Sequence, residues 1–237
     1  MFRSAVAQAG LSLIEMMVAL TISCFLIIGI TQCYLDNSGV YLFQQGQASN
    51  LDKSRFASLI LEQLLARTGY RAEPWVSLAN SFPAIGGSDG CPAFAAGETI
   101  KANSAGSGVC IRYQTGADAA GNELDCQGGE VSSSADVLLN LGYDSDSEQL
   151  SCAIGSTSAV LVDDVAGFAI SAIPGSADES QSVRFALLLS NGKSPRGGVA
   201  SDVLERWNSL SGQDLATDST QTFQISQGSV TLRNLMQ

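Results

Sequence analysis

The chain has 237 residues, 45% of them hydrophobic and only 15% charged, with 12 Lys plus Arg against 23 Asp plus Glu, six cysteines and no histidine. Without histidine there is no Ser-His-Asp or Cys-His catalysis, no His-ligated metal and no histidine pH switch. A net charge of −11 argues against an electrostatic footprint for nucleic acid.

Apolar residues concentrate at the start. Leu11 to Leu35 reads LSLIEMMVALTISCFLIIGITQCYL, with no charge between Met16 and Ile30. About twenty such residues cross the ~30 Å hydrocarbon layer as a helix, so the sequence predicts a membrane-inserted N-terminus. Arg3, the only charge before the run, favours a cytoplasmic N-terminus. Two targeting signals fit poorly. A cleavable secretory signal needs a short apolar core followed by a small-x-small site; here the run is long and Gln32-Cys33-Tyr34 follows it. A lipoprotein signal needs small residues just before a cysteine, and neither Ile22-Ser23 before Cys24 nor Thr31-Gln32 before Cys33 supplies them.

Glu15 is the informative residue. An ionised side chain at mid-bilayer costs at least ~2.5–3.5 kcal/mol, which makes it a functional candidate. The plain alternative is a carboxylate at the interface, favoured there by the helix dipole. Its neighbours decide. Gly10-Leu11-Ser12-Leu13-Ile14-Glu15 followed by Met16-Met17-Val18-Ala19-Leu20 resembles the class III signal of type IV prepilins. That resemblance implies a leader of residues 1–10, cleavage between Gly10 and Leu11 by a prepilin peptidase, and methylation of the new N-terminus. Leu11 stands where most family members have phenylalanine, and Arg3 alone makes the leader basic. Cleavage would place an α-amine one helical turn from Glu15. A carboxylate in a low-dielectric bundle needs a cationic partner, and within the family Glu15 is expected to pair with the amine of a neighbouring subunit, setting its axial register.

The helical pattern continues to about Thr68. No proline precedes Pro74, and Leu51, Phe56, Leu59, Ile60 and Leu64 follow the rhythm of one buried face. A continuous helix from Leu11 would span ~87 Å, with Gly69 as its stop. Gly29, Gly39 and Gly46 lower its propensity, which suggests local loosening. Four segments are expected: the leader at 1–10, a membrane or filament-core helix at 11–35, its amphipathic continuation at 36–69, and a β-rich exported domain at 70–237. Residues 1–69 hold four basic and four acidic residues, whereas 70–237 hold eight and nineteen, so that domain carries the whole net charge.

Beyond Gly69 the candidate strands are Val109–Gln114, Val137–Tyr143, Gln149–Ile154, Ala159–Val162, Phe168–Ile173, Val183–Leu189 and Thr222–Arg233. Gly228-Ser229 reads as a bulge or tight turn in the last. Residues 86–108, 115–136, 190–202 and 209–221 read as loops. The expected fold class is α+β: a long N-terminal helix packed through its second half on an antiparallel sheet, as in type IV pilins.

Cys24 and Cys33 lie in the apolar run, nine residues apart and so on opposite helix faces, where they cannot bridge within one chain. Cys91, Cys110, Cys126 and Cys152 lie beyond the anchor without any C-x-x-C spacing. This argues against zinc and for two disulfides in an oxidising compartment. Three connectivities are possible; Cys126–Cys152 with Cys91–Cys110 is favoured, each bridge closing a loop.

An ordered set of later segments resembles the PilW-type minor pilins of type IV pili. It comprises Leu61–Tyr70, Asp125-Cys126-Gln127-Gly128 ahead of Leu150-Ser151-Cys152, Leu161–Val165, Val183–Leu189, and Val230-Thr231-Leu232-Arg233-Asn234. The resemblance implies a non-catalytic protein without cofactor that helps prime pilus assembly and sits at or near the tip. Its partners would be other minor pilins, the major pilin, the inner-membrane assembly platform, a prepilin peptidase and a tip adhesin. It would lie in the bacterial inner membrane before assembly and on the cell surface afterwards, serving twitching motility, adhesion and DNA uptake. Two competing readings are a minor pseudopilin of a type II secretion system, which shares the leader and Glu15, and a signal-anchored periplasmic binding module or enzyme.

Other motifs are discounted. Asp144-Ser145-Asp146-Ser147-Glu148 resembles the start of a calcium loop but lacks its glycine and distal glutamate. Asp163-Asp164 could be paired acids, but neighbours on a strand face opposite ways. Gly86-Gly87-Ser88-Asp89-Gly90 lacks the lysine of a phosphate loop, Pro195-Arg196-Gly197-Gly198 reads as a turn, and Trp75 and Trp207 read as packing residues.

Overall fold

The structure, a computed structural model, describes residues 12–116, 124–130, 136–171, 181–193, 200–215 and 221–236. The chain divides into two units, Met1–Gln45 and Gly46–Gln237, and helix α1 (Leu13–Ala66) contributes to both. Helical geometry runs unbroken through Gly29, Gly39 and Gly46.

In the first unit every side chain from Ser12 to Asn37 is exposed. An apolar helix exposed all round is unstable in water, because each large aliphatic or aromatic side chain gains roughly 1.5–3 kcal/mol on burial. By length and composition this helix can cross a membrane.

In the second unit α1 buries Asn50, Ala57, Leu61, Leu64 and Leu65. The buried face is turned from the expected one: Leu64 and, partly, Ile60 belong to it, but Leu51, Phe56 and Leu59 are exposed. Ala57 and Leu61 set the line of contact, and residues 56 and 59 fall to its other side. The helix ends at Ala66, two residues short of the expected Thr68. Gly69 then adopts a left-handed φ of +70°, the conformation glycine takes most readily at a helix stop. Its Cα also lies against Leu235, whose Cδ2 would be 2.5 Å from an added Cβ.

Among the described residues eight strands follow: β1 (Ile100–Ala102), β2 (Gly108–Gln114), β3 (Asp136–Asp144), β4 (Gln149–Ile154), β5 (Thr157–Val162), β6 (Val165–Ser171), β7 (Ser182–Lys193) and β8 (Gln221–Thr231). They form two antiparallel sheets rather than the expected single one, ordered β1-β2-β3-β4-β5 and β6-β7-β8. Ala172 and Ile173, the end of the expected strand Phe168–Ile173, and the expected turn at Pro195-Arg196-Gly197-Gly198 lie outside the described residues.

Strand β1 adds an element within the segment read as the loop 86–108. Gly228 is not a bulge: it pairs in register with Phe185. The Phe185 ring packs on its bare Cα, with Cζ 2.4 Å from where a Cβ would stand. The largest correction is helix α3 (Ala200–Ser211), which follows the short helix α2 (Leu78–Ser81) and overlaps the ends of two segments read as loops.

The main core lies between the second half of α1 and the sheets. Leu61, Leu64 and Leu65 meet Val109, Ile111, Leu139, Leu141, Leu150 and, from β7, Val183, Phe185, Leu187 and Leu189. Helix α3 covers the other face of the three-stranded sheet through Leu204 and Trp207 against Leu188. Strand β7 is thus buried on both faces, which is why Val183–Leu189 reads as a nearly continuous apolar run. Trp207 is the packing residue expected, and it fits because Gly167 has no side chain; a Cβ there would stand 2.6 Å from the indole. Trp75 is not one: it is 80% exposed.

Candidate functional site

The first turn of α1 holds Glu15, and the Met16 N–H donates to the Ser12 carbonyl at 3.2 Å. The leading N–H groups of a helix have no partners within it, and the dipole there favours a carboxylate. Gly10 and Leu11, the expected cleavage and methylation positions, lie outside the described residues.

The polar side chains within the apolar run are satisfied by their own helix. Thr21 donates to the Val18 carbonyl at 2.8 Å, Ser23 to Ala19 at 2.7 Å and Thr31 to Ile27 at 2.7 Å. Such bonds remove the cost of carrying hydroxyls into hydrocarbon. Cys24 and Cys33 are unpaired and exposed. From Met16 to Ile30 the helix therefore presents no group that needs water, with Glu15 as the charge at its start.

In the second unit, three devices secure α1 to the domain. Asn234, in the 3-10 turn Arg233–Leu235, donates to the carbonyls of Ala66 and Thr68 at 3.0 and 3.1 Å, satisfying acceptors that the helix end leaves open. Ser58 and Ser226 share a hydrogen bond at 2.9 Å. Lys53 bonds Asp163 at 2.8 Å and also Asp164.

The two aspartates converge because they occupy the turn between β5 and β6, where Asp164 has a φ of +55°. The alternation that would separate them on a strand does not apply in that turn. Partial burial pulls the Lys53 ammonium down, but hydrogen bonds and charge from the two aspartates outweigh it and hold its pKa above the ordinary value. Lys53 in turn holds the Asp163 carboxyl below its usual range.

Disulfides join Cys91 to Cys110 and Cys126 to Cys152, with Cα separations of 5.8 and 6.4 Å. Beside the second, Asp125 accepts from the Gln127 and Gly129 N–H groups at 2.8 Å each. Gln127 also exchanges hydrogen bonds with Thr157. The Asp144–Glu148 segment is the β3–β4 turn, where Asp144 accepts from the Asp146 N–H at 3.0 Å and the Ser147 hydroxyl at 2.7 Å. Those donors, the hydroxyl first, hold the Asp144 carboxyl below its ordinary pKa. Among the described residues no three His, Cys, Asp or Glu side chains converge as metal ligands.

A family model described as the prokaryotic N-terminal methylation motif matches residues 6–31. The chain carries that motif. The matched segment contains Gly10, Leu11, Glu15 and most of the apolar run. No curated protein matches the chain significantly. Among solved structures, the chain is similar to a type IV-like pilin from Thermus thermophilus, at 15% identity and a TM-score of 0.47, covering 78% of this chain and 97% of that one.

Proposed function

We propose that the protein is a minor pilin of a type IV pilus, acting by assembly rather than catalysis. The observation that carries this reading is the methylation motif at residues 6–31, leading into a helix whose apolar side chains are exposed on all sides. Such a helix needs lipid before assembly and neighbouring helices afterwards. Prepilin peptidase would cut between Gly10 and Leu11, the new amine would be methylated, and Glu15 would pair with the amine of an adjacent subunit. The N-terminus would be cytoplasmic, with the domain periplasmic and later on the pilus.

The PilW-type role, priming assembly near the tip beside other minor pilins and an adhesin, rests on the ordered segments of the sequence. Several have structural duties: Asp125–Gly128 forms a hydrogen-bonded turn, Asp163-Asp164 binds Lys53, and Asn234 caps α1.

Mass spectrometry of the N-terminus, with and without prepilin peptidase, tests the first step: Leu11 should become the N-terminus only when the peptidase is present. An intact 1–10 leader in both strains would refute the reading. Gene deletion separates pilus from secretion system. Loss of surface pili with normal exoprotein secretion is expected; the opposite result assigns the protein to a type II secretion system.

A further inference from the structure

The outer face of the five-stranded sheet, turned away from α1, carries a buried charge that its surroundings do not balance. Along β2, Val109, Ile111 and Tyr113 enter the main core, so Cys110, Arg112 and Gln114 face the other way. Paired residues share a face, which places Leu138 beside Arg112 and Asp136 beside Gln114.

Arg112 is only 4% exposed. Its guanidinium lies 5.3 Å from the Phe82 ring centre and 5.6 Å from that of Phe94. Its Nη1 donates to the Glu98 carbonyl at 3.3 Å. Among the described residues no carboxylate forms an ion pair with it. A guanidinium has further N–H donors in its planar fork, and burying a cation without an anionic partner is costly. Burial pulls its pKa below the ordinary value, and the charge of Asp136 offsets that only in part.

A cavity of about 380 Å³ opens between this face and residues 82–89. Phe82, Ile85 and Leu138 give it an apolar wall, and its charged lining residues are Arg112, Asp89 and Asp136. Both aspartates are exposed. Asp136 accepts from Gln114 Nε2 at 2.9 Å. Asp89 accepts from Asn140 through its backbone carbonyl, and among the described residues its carboxylate has no partner. Arg112 and Asp136 are diagonal neighbours across β2 and β3, a relation that sets residues roughly 7–8 Å apart. One cation and two anions therefore border a single space without an ion pair between them. A bare carboxylate there would meet Arg112 but also two like charges. A bare amine would meet the aspartates and leave Arg112 unbalanced. A head group carrying both charges satisfies both sides.

We propose that this cavity binds a free α-amino acid with an apolar side chain. Its carboxylate accepts from the Arg112 fork, the geometry a guanidinium matches best. Its ammonium donates to Asp136, with Asp89 adding negative charge at the cavity wall. Its side chain packs on Phe82, Ile85 and Leu138. The site does not rest on the assembly reading.

The test titrates the full chain in detergent micelles with L-leucine and L-phenylalanine, read by calorimetry. At least one should saturate below ~10 mM. The corresponding amine, which lacks the carboxylate, and the corresponding acid, which lacks the ammonium, should each bind about ten-fold or more weakly. Asp136→Asn, at an exposed position, should fold normally and weaken the amino acid about ten-fold or more without weakening the acid. Arg112→Lys should weaken the amino acid and the acid but not the amine. If Arg112→Lys does not fold, Asp136→Asn decides alone. No saturation by either amino acid, or acid or amine binding as tightly as the amino acid, would overturn the proposal. So would an Asp136→Asn variant that binds like the parent, or one that loses the acid equally, since the second result would make Asp136 merely structural.

Discussion

Glu15 and Lys53 are charged side chains on the same helix, and each poses a solvation problem. For Glu15, within the pilin reading, the solution comes from another subunit's amine. Glu15→Ala should therefore still be cleaved after Gly10, while its fraction in sheared pili falls about ten-fold or more, because loss of one partner leaves a poorly solvated charge on the other. Immunoblots of sheared and membrane fractions measure this; normal incorporation would rule out the pairing.

Lys53 is answered within the domain by Asp163 and Asp164. The Asp163 pKa is depressed, so its contribution to stability is present above the ordinary value of 3.8 and is lost as pH falls through the lower folded value. The Lys53 pKa is raised, so its contribution is complete below 10.5 and is lost as pH rises through the higher folded value. Both carboxylates are substantially exposed, and screening leaves each pair about 0–1 kcal/mol. Lys53→Met, which keeps most of the stem, should cost up to about 1 kcal/mol at pH 7 and progressively less below pH 3.8. Denaturant unfolding across pH checks this; a pH-independent difference would assign the loss to packing.

At the scale of elements, Gly228 and Gly167 show why bare Cα positions matter within β-strands. Gly228→Val would drive a branched side chain into the Phe185 ring and should destabilise the domain by about 1–3 kcal/mol. Unchanged thermal unfolding of this variant would mean that the ring moves aside freely. Strands β2 to β8 were legible in the sequence because alternation and apolar runs are local signals, whereas the three-residue β1 was too short to give one. Their division into two sheets was not, because pairing is non-local and the break falls at Asp163-Asp164, which resembles any other polar turn. Helix α3 was hidden for a different reason. Its buried anchors Leu204 and Trp207 sit among Ser, Asp, Asn and Glu, and its stability comes from packing on β7 rather than from propensity. Of the candidate site, Glu15 was legible from its cost in an apolar run. The capping role of Asn234 was not, since its acceptors are 168 and 166 residues away.

For the whole molecule, the decisive asymmetry is that every buried residue of α1 lies at or beyond Asn50. The first unit supplies an apolar surface, and the second, from Gly46 to Gln237, contains the helix residues that complete its own core. Net charge divides in the same sense, since the acidic excess lies after Gly69. A chain beginning at Gly46 should therefore be soluble without detergent and unfold in a single transition. Among the described residues, removing the exposed apolar segment deletes no buried side chain, and surface changes away from core contacts usually fall within about 0.5 kcal/mol. Its Tm should consequently lie within a few degrees of the domain transition of the full chain in mild detergent. Circular dichroism melts of the two proteins make the comparison. A drop of about ten degrees or more would mean that residues before Gly46 stabilise the domain through contacts that the burial pattern does not contain.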